Sequence, residues 1–208
     1  DGPTLQSIAN LVDISESSRD VDAVPMRLWG AGRSSRAPQS QQAGIVSAPQ
    51  LRQYQQDAIE AICAAREGGT NRVLVQMSTG LGKTVAFAAL LRWPRMRAWL
   101  DTLPKRQGAE MLVVAHRSEL LDQAAEKIQR ANPGIIVSVE QAERHASRYS
   151  DVVVASIQTL SAQKFTRLKQ LLARHAFRLV IVDECHHASA ASYRTALVHL
   201  GFLPAADA

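Results

Sequence analysis

The sequence has few cysteines and no long apolar run, and each shortage excludes a class of protein. Only 2 of the 208 residues are cysteines, which argues against a disulfide framework and predicts a cytoplasmic or nucleoid-associated protein. The longest strictly apolar run, Val85 to Leu91, is far shorter than the ~20 residues that span a bilayer. The sequence opens without the basic-then-apolar pattern of a signal peptide and begins with Asp1, so we expect a fragment or a processed chain.

The composition is that of an ordinary globular protein with a modest excess of positive charge. Hydrophobic residues make up 46% of the chain and charged residues 21%. Residues 1–48 hold four arginines and five acidic residues, a net charge of −1. The rest of the chain carries a net charge of +6, so the total is +5. The basic part is compatible with a polyanionic partner, and a mildly basic solvated surface is the alternative.

The chain divides into an N-terminal extension or linker, residues 1–48, and a domain, residues 49–208. The extension has one apolar pattern, formed by Leu5, Ile8, Leu11 and Val12, which predicts one or two short amphipathic helical turns. Residues 30–44 are rich in Ser, Gln, Gly and Arg and predict a linker. We therefore expect the extension to be partly disordered.

Apolar strands alternate with helical segments from residue 49 onwards. The predicted strands are Arg72–Gln76, Met111–Ala115, Ile135–Val139, Val152–Ala155 and Arg178–Val182. Helices are predicted over residues 53–66, 84–92 and 165–174, and another is predicted to begin after Ser118, which can cap it. Residues 95–108 are interpreted as a basic connection with at most one helical turn. This alternation predicts an α/β fold whose mostly parallel sheet is flanked by helices. In such sheets, ligands bind at the carboxyl ends of the strands.

The segment MSTGLGKT, residues 77–84, lies between a predicted strand and a predicted helix. Its two glycines allow turns that aim backbone N–H groups at phosphate oxygens. Lys83 supplies positive charge for the β- and γ-phosphates, and Thr84 supplies a hydroxyl for magnesium. The usual phosphate-loop pattern has glycine where this chain has Met77. A glycine-rich turn with an incidental lysine is the alternative interpretation.

The segment VDECHHA, residues 182–188, supplies the acidic residues that a phosphate loop requires. Asp183 follows the apolar strand RLVIV and can hold magnesium, and Glu184 can orient or deprotonate an attacking water. The alternative is a zinc site built from Cys185 and the two histidines that follow it. Three adjacent residues do not easily converge on one tetrahedral ion, and no CxxC or HxxxH motif accompanies them.

Five motifs in this order resemble those of superfamily 2 helicases and translocases. They are LRQYQ, STGLGKT, VVAHRSELLDQ, VASIQTL and VDECHHA. The chain is most similar to the branch with a DECH-type box, which includes excision-repair-type helicases and the motor subunits of type I and type III restriction enzymes. The resemblance covers residues 49–200 and implies a RecA-like P-loop NTPase domain, the first of two motor domains.

The resemblance also implies roles for residues that match the family motifs. The implied nucleotide contacts are Arg52, Gln55, Thr79, Gly80, Leu81, Gly82, Lys83, Thr84 and Asp183, with Gln55 pairing with adenine and Thr84 and Asp183 holding Mg²⁺. The implied catalytic residues are Lys83 and Glu184. The implied nucleic-acid contacts are His116, Arg117, Gln158 and Thr159, and His186 couples the acid pair to neighbouring motor elements. Helix-capping and surface roles for these polar residues are the alternative.

These residues predict the ATP-binding domain of a nucleic-acid-dependent ATPase that unwinds or translocates along DNA, with RNA as the alternative. The cofactors would be ATP and Mg²⁺. The family's next motif and its second RecA-like domain would follow residue 208, so we expect this chain alone to hydrolyse ATP very slowly. A restriction-enzyme motor subunit and a non-catalytic nucleic-acid-binding module are the alternative functions.

Overall fold

A computed structural model describes residues 10–13, 50–77, 80–104, 108–116, 118–185 and 191–203, with only the backbone for 10–13, 118 and 119. Within these ranges, six strands form one sheet in the order β2-β1-β6-β3-β5-β4. The strands are β1 (Asn10–Asp13), β2 (Arg72–Val75), β3 (Met111–Ala115), β4 (Val137–Glu140), β5 (Val152–Ser156) and β6 (Leu179–Asp183).

The sheet is mostly parallel, as the alternating pattern predicts. Strands β6, β3, β5 and β4 run in one direction. Strand β1 is antiparallel to both of its neighbours, β2 and β6. Because β2 and β6 are both antiparallel to β1, they run in the same direction as each other. The carboxyl ends of β2, β6, β3 and β5 therefore lie at one edge of the sheet, where ligands bind in this class of fold.

Strand β1 differs from the helical turn that we predict around Leu11 and Val12. Asn10 lies opposite both Val75 of β2 and Asp183 of β6, so the segment separates the two strands that lead into the phosphate loop and the acid pair. A stretch of four residues can follow either the helical or the strand period, and here hydrogen bonding to two neighbouring strands determines the outcome. The other predictions for residues 1–48 lie outside the described residues.

The helices are α1 (Gln53–Glu67), α2 (Lys83–Leu90), α3 (Pro94–Thr102), α4 (Ser118–Ala131), α5 (Ile157–Leu172) and α6 (Ala191–His199). None of the described helices is long and apolar enough to cross a membrane. Helix α3 replaces the connection that we predict after residue 94. Proline at the first helical position favours its start, and burial of Met96 and Leu100, four residues apart, anchors one face.

Helix α5 begins earlier than the predicted Phe165. Ser156 caps it, because its Oγ accepts a hydrogen bond from the backbone N–H of Thr159 at 3.3 Å. The helix is interrupted at residues 162–165, three of which have positive φ, and then resumes. The pattern that predicts a helix from residue 165 therefore describes the second part of α5.

The core consists of two apolar clusters, one on each face of the sheet. Alternate residues of each central strand contribute to opposite clusters, as the two-residue period of a strand requires. In β6, Ile181 belongs to the cluster that contains Ile59 of α1 and Leu121 of α4. Val182 belongs to the other cluster, with Leu168 of α5 and residues of α6. Helices thus pack on both faces of the sheet.

One buried ion pair fastens the segment between β4 and β5 to α5. The Glu140 side chain has no exposed surface and accepts hydrogen bonds from Arg167 Nε at 2.5 Å and from the Ala146 N–H at 2.7 Å. The Arg167 side chain is 19% exposed. Both charges are therefore removed from most of their water, and each depends on the other for compensation.

Candidate functional site

The phosphate loop follows β2 at the carboxyl edge of the sheet. Gly80 and Gly82 have φ values of +84° and +76°, a region that glycine adopts without steric cost. Helix α2 begins immediately afterwards, at Lys83, so its unpaired N–H groups and its dipole face the loop. Turning glycines, a lysine and the positive end of a helix thus lie at one place.

The acid pair lies at the end of β6, at the same edge. Asp183 is the last residue of the strand, and its Oδ1 accepts a hydrogen bond from the Glu184 N–H at 3.1 Å. Glu184 has φ of +53°, which is uncommon for a residue with a side chain and is frequent at functional sites.

An ion pair joins the two motifs. Lys83 Nζ lies 3.8 Å from Glu184 Oε1, although the two residues are 101 positions apart in the sequence. The side chains are 14% and 43% exposed. Such a partly exposed pair contributes little to stability, so its interest is positional. It brings the cation of the phosphate loop beside the proposed water-activating carboxylate.

The electrostatics of the acid pair fit a bound divalent cation. Burial raises the pKa of Asp183, and the negative charge of Glu184 raises it further, while Lys83 lowers it only in part. Two carboxylates in this position therefore need more positive charge than Lys83 supplies. Carboxylate and hydroxyl oxygens are the ligands that Mg²⁺ prefers, and Thr84 stands in the first turn of α2. The residues present fit magnesium.

The described cysteines are poor candidates for zinc ligands. Burial raises the pKa of Cys185 to about 11 and also raises the pKa of Cys63. Both thiols are buried and stay protonated near neutral pH, whereas zinc binds the thiolate. Within the described part of the chain, no three His, Cys, Asp or Glu residues are grouped as metal ligands. His186 and His187 lie outside that part.

Gln55 contacts the phosphate loop. Its Nε2 donates to the carbonyls of Leu81 at 3.0 Å and Gly82 at 3.3 Å, and its Oε1 accepts from the Arg52 N–H at 2.9 Å. The hydroxyl of Tyr54 also donates to the Leu81 carbonyl, at 3.1 Å. Gln55 is only 5% exposed. The residues predicted to contact adenine therefore lie beside the loop, and the amide of Gln55 is hydrogen-bonded to loop carbonyls.

Two of the predicted nucleic-acid residues meet at the ends of β3 and β5. Gln158 Nε2 donates to the His116 carbonyl at 2.7 Å, and Gln158 Oε1 accepts from Ser156 Oγ at 2.7 Å. Both His116 and Gln158 are exposed. Thr159 is half-buried, and its hydroxyl accepts from the Ala142 N–H at 3.1 Å. The first two residues form a joint surface, whereas Thr159 also performs a local structural role.

Three predicted site residues, Thr79, Arg117 and His186, lie outside the described residues. One residue that the sequence patterns did not single out lies close to the site. Tyr193, in the first turn of α6, is 1% exposed, and its ring stacks on that of His116 with centroids 6.5 Å apart. The only sequence signal for it is an aromatic residue shortly after the acidic motif.

Comparison with known proteins identifies relatives over the same part of the chain. Residues 48–203 match the family model described as type III restriction enzyme, res subunit. The chain is 39% identical over 155 residues to the Saccharomyces cerevisiae protein named "Putative ATP-dependent helicase IRC3", a match that covers 74% of this chain and 21% of that protein.

Two further relatives are more distant. The Schizosaccharomyces pombe protein named "Putative mitochondrial ATP-dependent helicase irc3" is 30% identical over 152 residues, which is 73% of this chain and 23% of that protein. The type I restriction enzyme EcoAI endonuclease subunit of Escherichia coli is 30% identical over 140 residues, which is 67% of this chain and 16% of that protein. The chain thus spans about a fifth of the length of these relatives.

Proposed function

We propose that this chain binds ATP between the phosphate loop and the acid pair. The premise is that it belongs to the type III restriction enzyme res subunit family and is a helicase-like, ATP-dependent domain. The observation that carries this proposal is the 3.8 Å approach of Lys83 to Glu184. It joins two motifs that have no proximity in the sequence, at the sheet edge where ligands bind.

Each side chain of the site then has a distinct task. Backbone N–H groups of the loop and of the first turn of α2 would bind the phosphates, and Lys83 would move from Glu184 to the β- and γ-phosphates. Asp183 and Thr84 would hold Mg²⁺, which neutralises phosphate charge when bound. Glu184, released from Lys83, would orient a water and accept its proton.

The adenine end of the nucleotide would lie near Arg52 and Gln55. The amide of Gln55 would exchange a phosphate-loop carbonyl for adenine, which offers an adjacent donor and acceptor. The same side chain would then report occupancy of the base pocket to the loop.

Nucleic acid would bind at the surface formed by His116 and Gln158, with Arg117 and Thr159 as further contacts. Support comes from their position at the ends of β3 and β5, next to the strand that carries Asp183. Contacts of this kind engage phosphates and do not read bases. We propose DNA as the substrate in preference to RNA, and turnover that requires a second RecA-like domain in the complete protein.

Nucleotide binding tests the central proposal. A fluorescent ATP analogue with Mg²⁺ is titrated into this chain, into Lys83→Ala, and into the control Lys169→Ala, which removes an exposed lysine of α5. A charged hydrogen bond contributes about 1.5–3 kcal/mol, so we expect Lys83→Ala to weaken binding about 10- to 150-fold. The control should bind like the parent chain. Equal affinity for all three proteins, or no binding by the parent chain, would contradict the proposal.

Turnover tests the acid pair separately. In the complete protein, Glu184→Gln should retain binding of the ATP analogue and lose hydrolysis, because the amide cannot accept the proton of the water. Unchanged hydrolysis would remove Glu184 from its proposed role.

A second candidate function is that of a motor subunit of a restriction enzyme. The match to the EcoAI endonuclease subunit favours it. The ATP site would be the same, and the difference would lie in the associated nuclease. Cleavage of unmethylated DNA by the complete protein, dependent on ATP, would distinguish this function from that of a helicase.

A further inference from the structure

The hydroxyl of Tyr193 is a buried polar group with no hydrogen-bond partner among the described residues. The residue is 1% exposed, at the start of α6. Buried tyrosine hydroxyls are normally hydrogen-bonded, and an unpaired one costs free energy. A group of this kind next to a ligand site is a candidate for an interaction that forms only when the ligand is bound.

Tyr193 is associated with both parts of the proposed site. Its ring stacks on His116, with an angle of 22° between the rings. It also belongs to the apolar cluster that contains Val182 and Cys185, the residues on either side of the acid pair. Burial raises its pKa to about 12, with a further contribution from the charge of Asp183. The hydroxyl is therefore a protonated donor.

The parallel register of β3 and β6 explains this placement. Val114 lies opposite Val182, so His116 and Asp183 both leave the sheet just beyond that pair, at the same edge. Helix α6 carries Tyr193 and contributes to the same apolar cluster as Val114 and Val182. The Tyr193 ring therefore belongs both to the stacked pair with His116 and to the apolar cluster that contains the residues on either side of the acid pair.

We propose that Tyr193 is a positioning residue that couples nucleic-acid contact at His116 to the placement of Asp183. This inference rests on the proposed function. When His116 engages a backbone phosphate, the stacked ring would shift with it, and the Tyr193 hydroxyl would donate to the Asp183 carboxylate and hold it in place for Mg²⁺. Bound nucleic acid would thereby strengthen nucleotide binding, and the effect would be reciprocal.

The test measures this coupling directly in the present chain. The dissociation constant of a Mg²⁺-bound fluorescent ATP analogue is determined with and without a saturating single-stranded DNA of about 20 nucleotides, and again with RNA of the same sequence. The ratio of the two constants is the coupling factor, for which allosteric proteins typically show about 5 to 150. The variants are Tyr193→Phe, which removes only the hydroxyl, and Tyr193→Leu, which also removes the stacked ring.

The expected result separates coupling from binding and from folding. Tyr193→Phe should reduce the coupling factor, and Tyr193→Leu should bring it close to 1, while both retain the parent affinity for the analogue alone within about threefold. Leu197→Ala is the matched control, because Leu197 lies on the same helix and in the same buried cluster but is one turn away. It should keep the coupling factor of the parent chain.

Several outcomes would overturn the inference. Coupling that persists in both Tyr193 variants would do so, as would an equal loss in Leu197→Ala, because the effect would then be a general loosening of α6. If the parent chain binds the analogue and the nucleic acid without coupling, only this inference fails. If the parent chain does not bind the analogue, the proposed function itself fails, and the inference with it.

Discussion

The contact between Gly82 and Gln55 makes a quantitative prediction about the phosphate loop. A Cβ atom added at Gly82 would lie 2.7 Å from Gln55 Nε2, closer than such contacts allow. Gly82→Ala therefore has two consequences. An alanine at φ of +76° costs about 1–2 kcal/mol. Displacement of the Gln55 amide also breaks its hydrogen bonds to Leu81 and Gly82, which contribute about 1–2 kcal/mol together.

We thus expect Gly82→Ala to lower the free energy of unfolding by about 2–4 kcal/mol. Urea denaturation followed by circular dichroism measures it, and with a slope of about 2 kcal/mol per molar the midpoint should fall by about 1–2 M. Gly80→Ala is the matched control. Gly80 has φ of +84° and no atom within 4 Å of the added Cβ, so only the backbone cost of about 1–2 kcal/mol applies.

A double-mutant cycle isolates the contact itself. In a Gln55→Ala background the amide is absent, so Gly82→Ala should cost no more than Gly80→Ala does. The difference between the two backgrounds, about 1–2 kcal/mol, is the coupling between Gly82 and Gln55. If Gly82→Ala costs the same in both backgrounds, or no more than Gly80→Ala in the parent chain, the Gln55 amide does not support the loop as described.

Two further predictions concern buried ionisable side chains away from the site. Glu140→Ala should lower the free energy of unfolding by about 3–5 kcal/mol, because it leaves the buried charge of Arg167 without its carboxylate partner. Adding Arg167→Met should restore part of the loss. A loss below about 1 kcal/mol in urea denaturation would contradict this. Burial, and secondly the charge of Arg174, lower the pKa of His175 below 6.5. The unfolded chain therefore binds the proton more readily, and the free energy of unfolding should fall as the pH drops below 6.5, by up to about 1.4 kcal/mol per pH unit, with no contribution above it. A His175→Gln variant with the same pH profile would refute this.

The family, the order of the motifs and the fold class could all be predicted from the sequence. Five motifs identified the chain as a superfamily 2 helicase-like domain, and the match of residues 48–203 to the res subunit family confirms that prediction. The mostly parallel sheet between two layers of helices was also predicted correctly. These features depend on local patterns, since a buried strand reads as an apolar run and a phosphate loop needs particular residues at adjacent positions.

The predictions that differ from the structure fall where local signals are weak. Four residues around Leu11 form a strand because two neighbouring strands bond to them, which a short apolar pattern does not reveal. Helix α3 begins at Pro94, and proline can end one helix as well as begin the next, so its position alone does not predict α3. The start of α5 depends on the hydroxyl of Ser156, one of many serines in the chain.

By itself, the sequence determined which chemical groups the site contains, because phosphate binding, metal binding and proton transfer each require specific residue types. Only the tertiary structure decided how those groups are arranged. It joins Lys83 to Glu184, engages Gln55 with the phosphate loop, and stacks Tyr193 on His116. Such contacts connect residues distant in the chain, and they depend on strand register and on backbone turns such as the positive φ of Glu184. These are properties of the folded chain that no local pattern encodes.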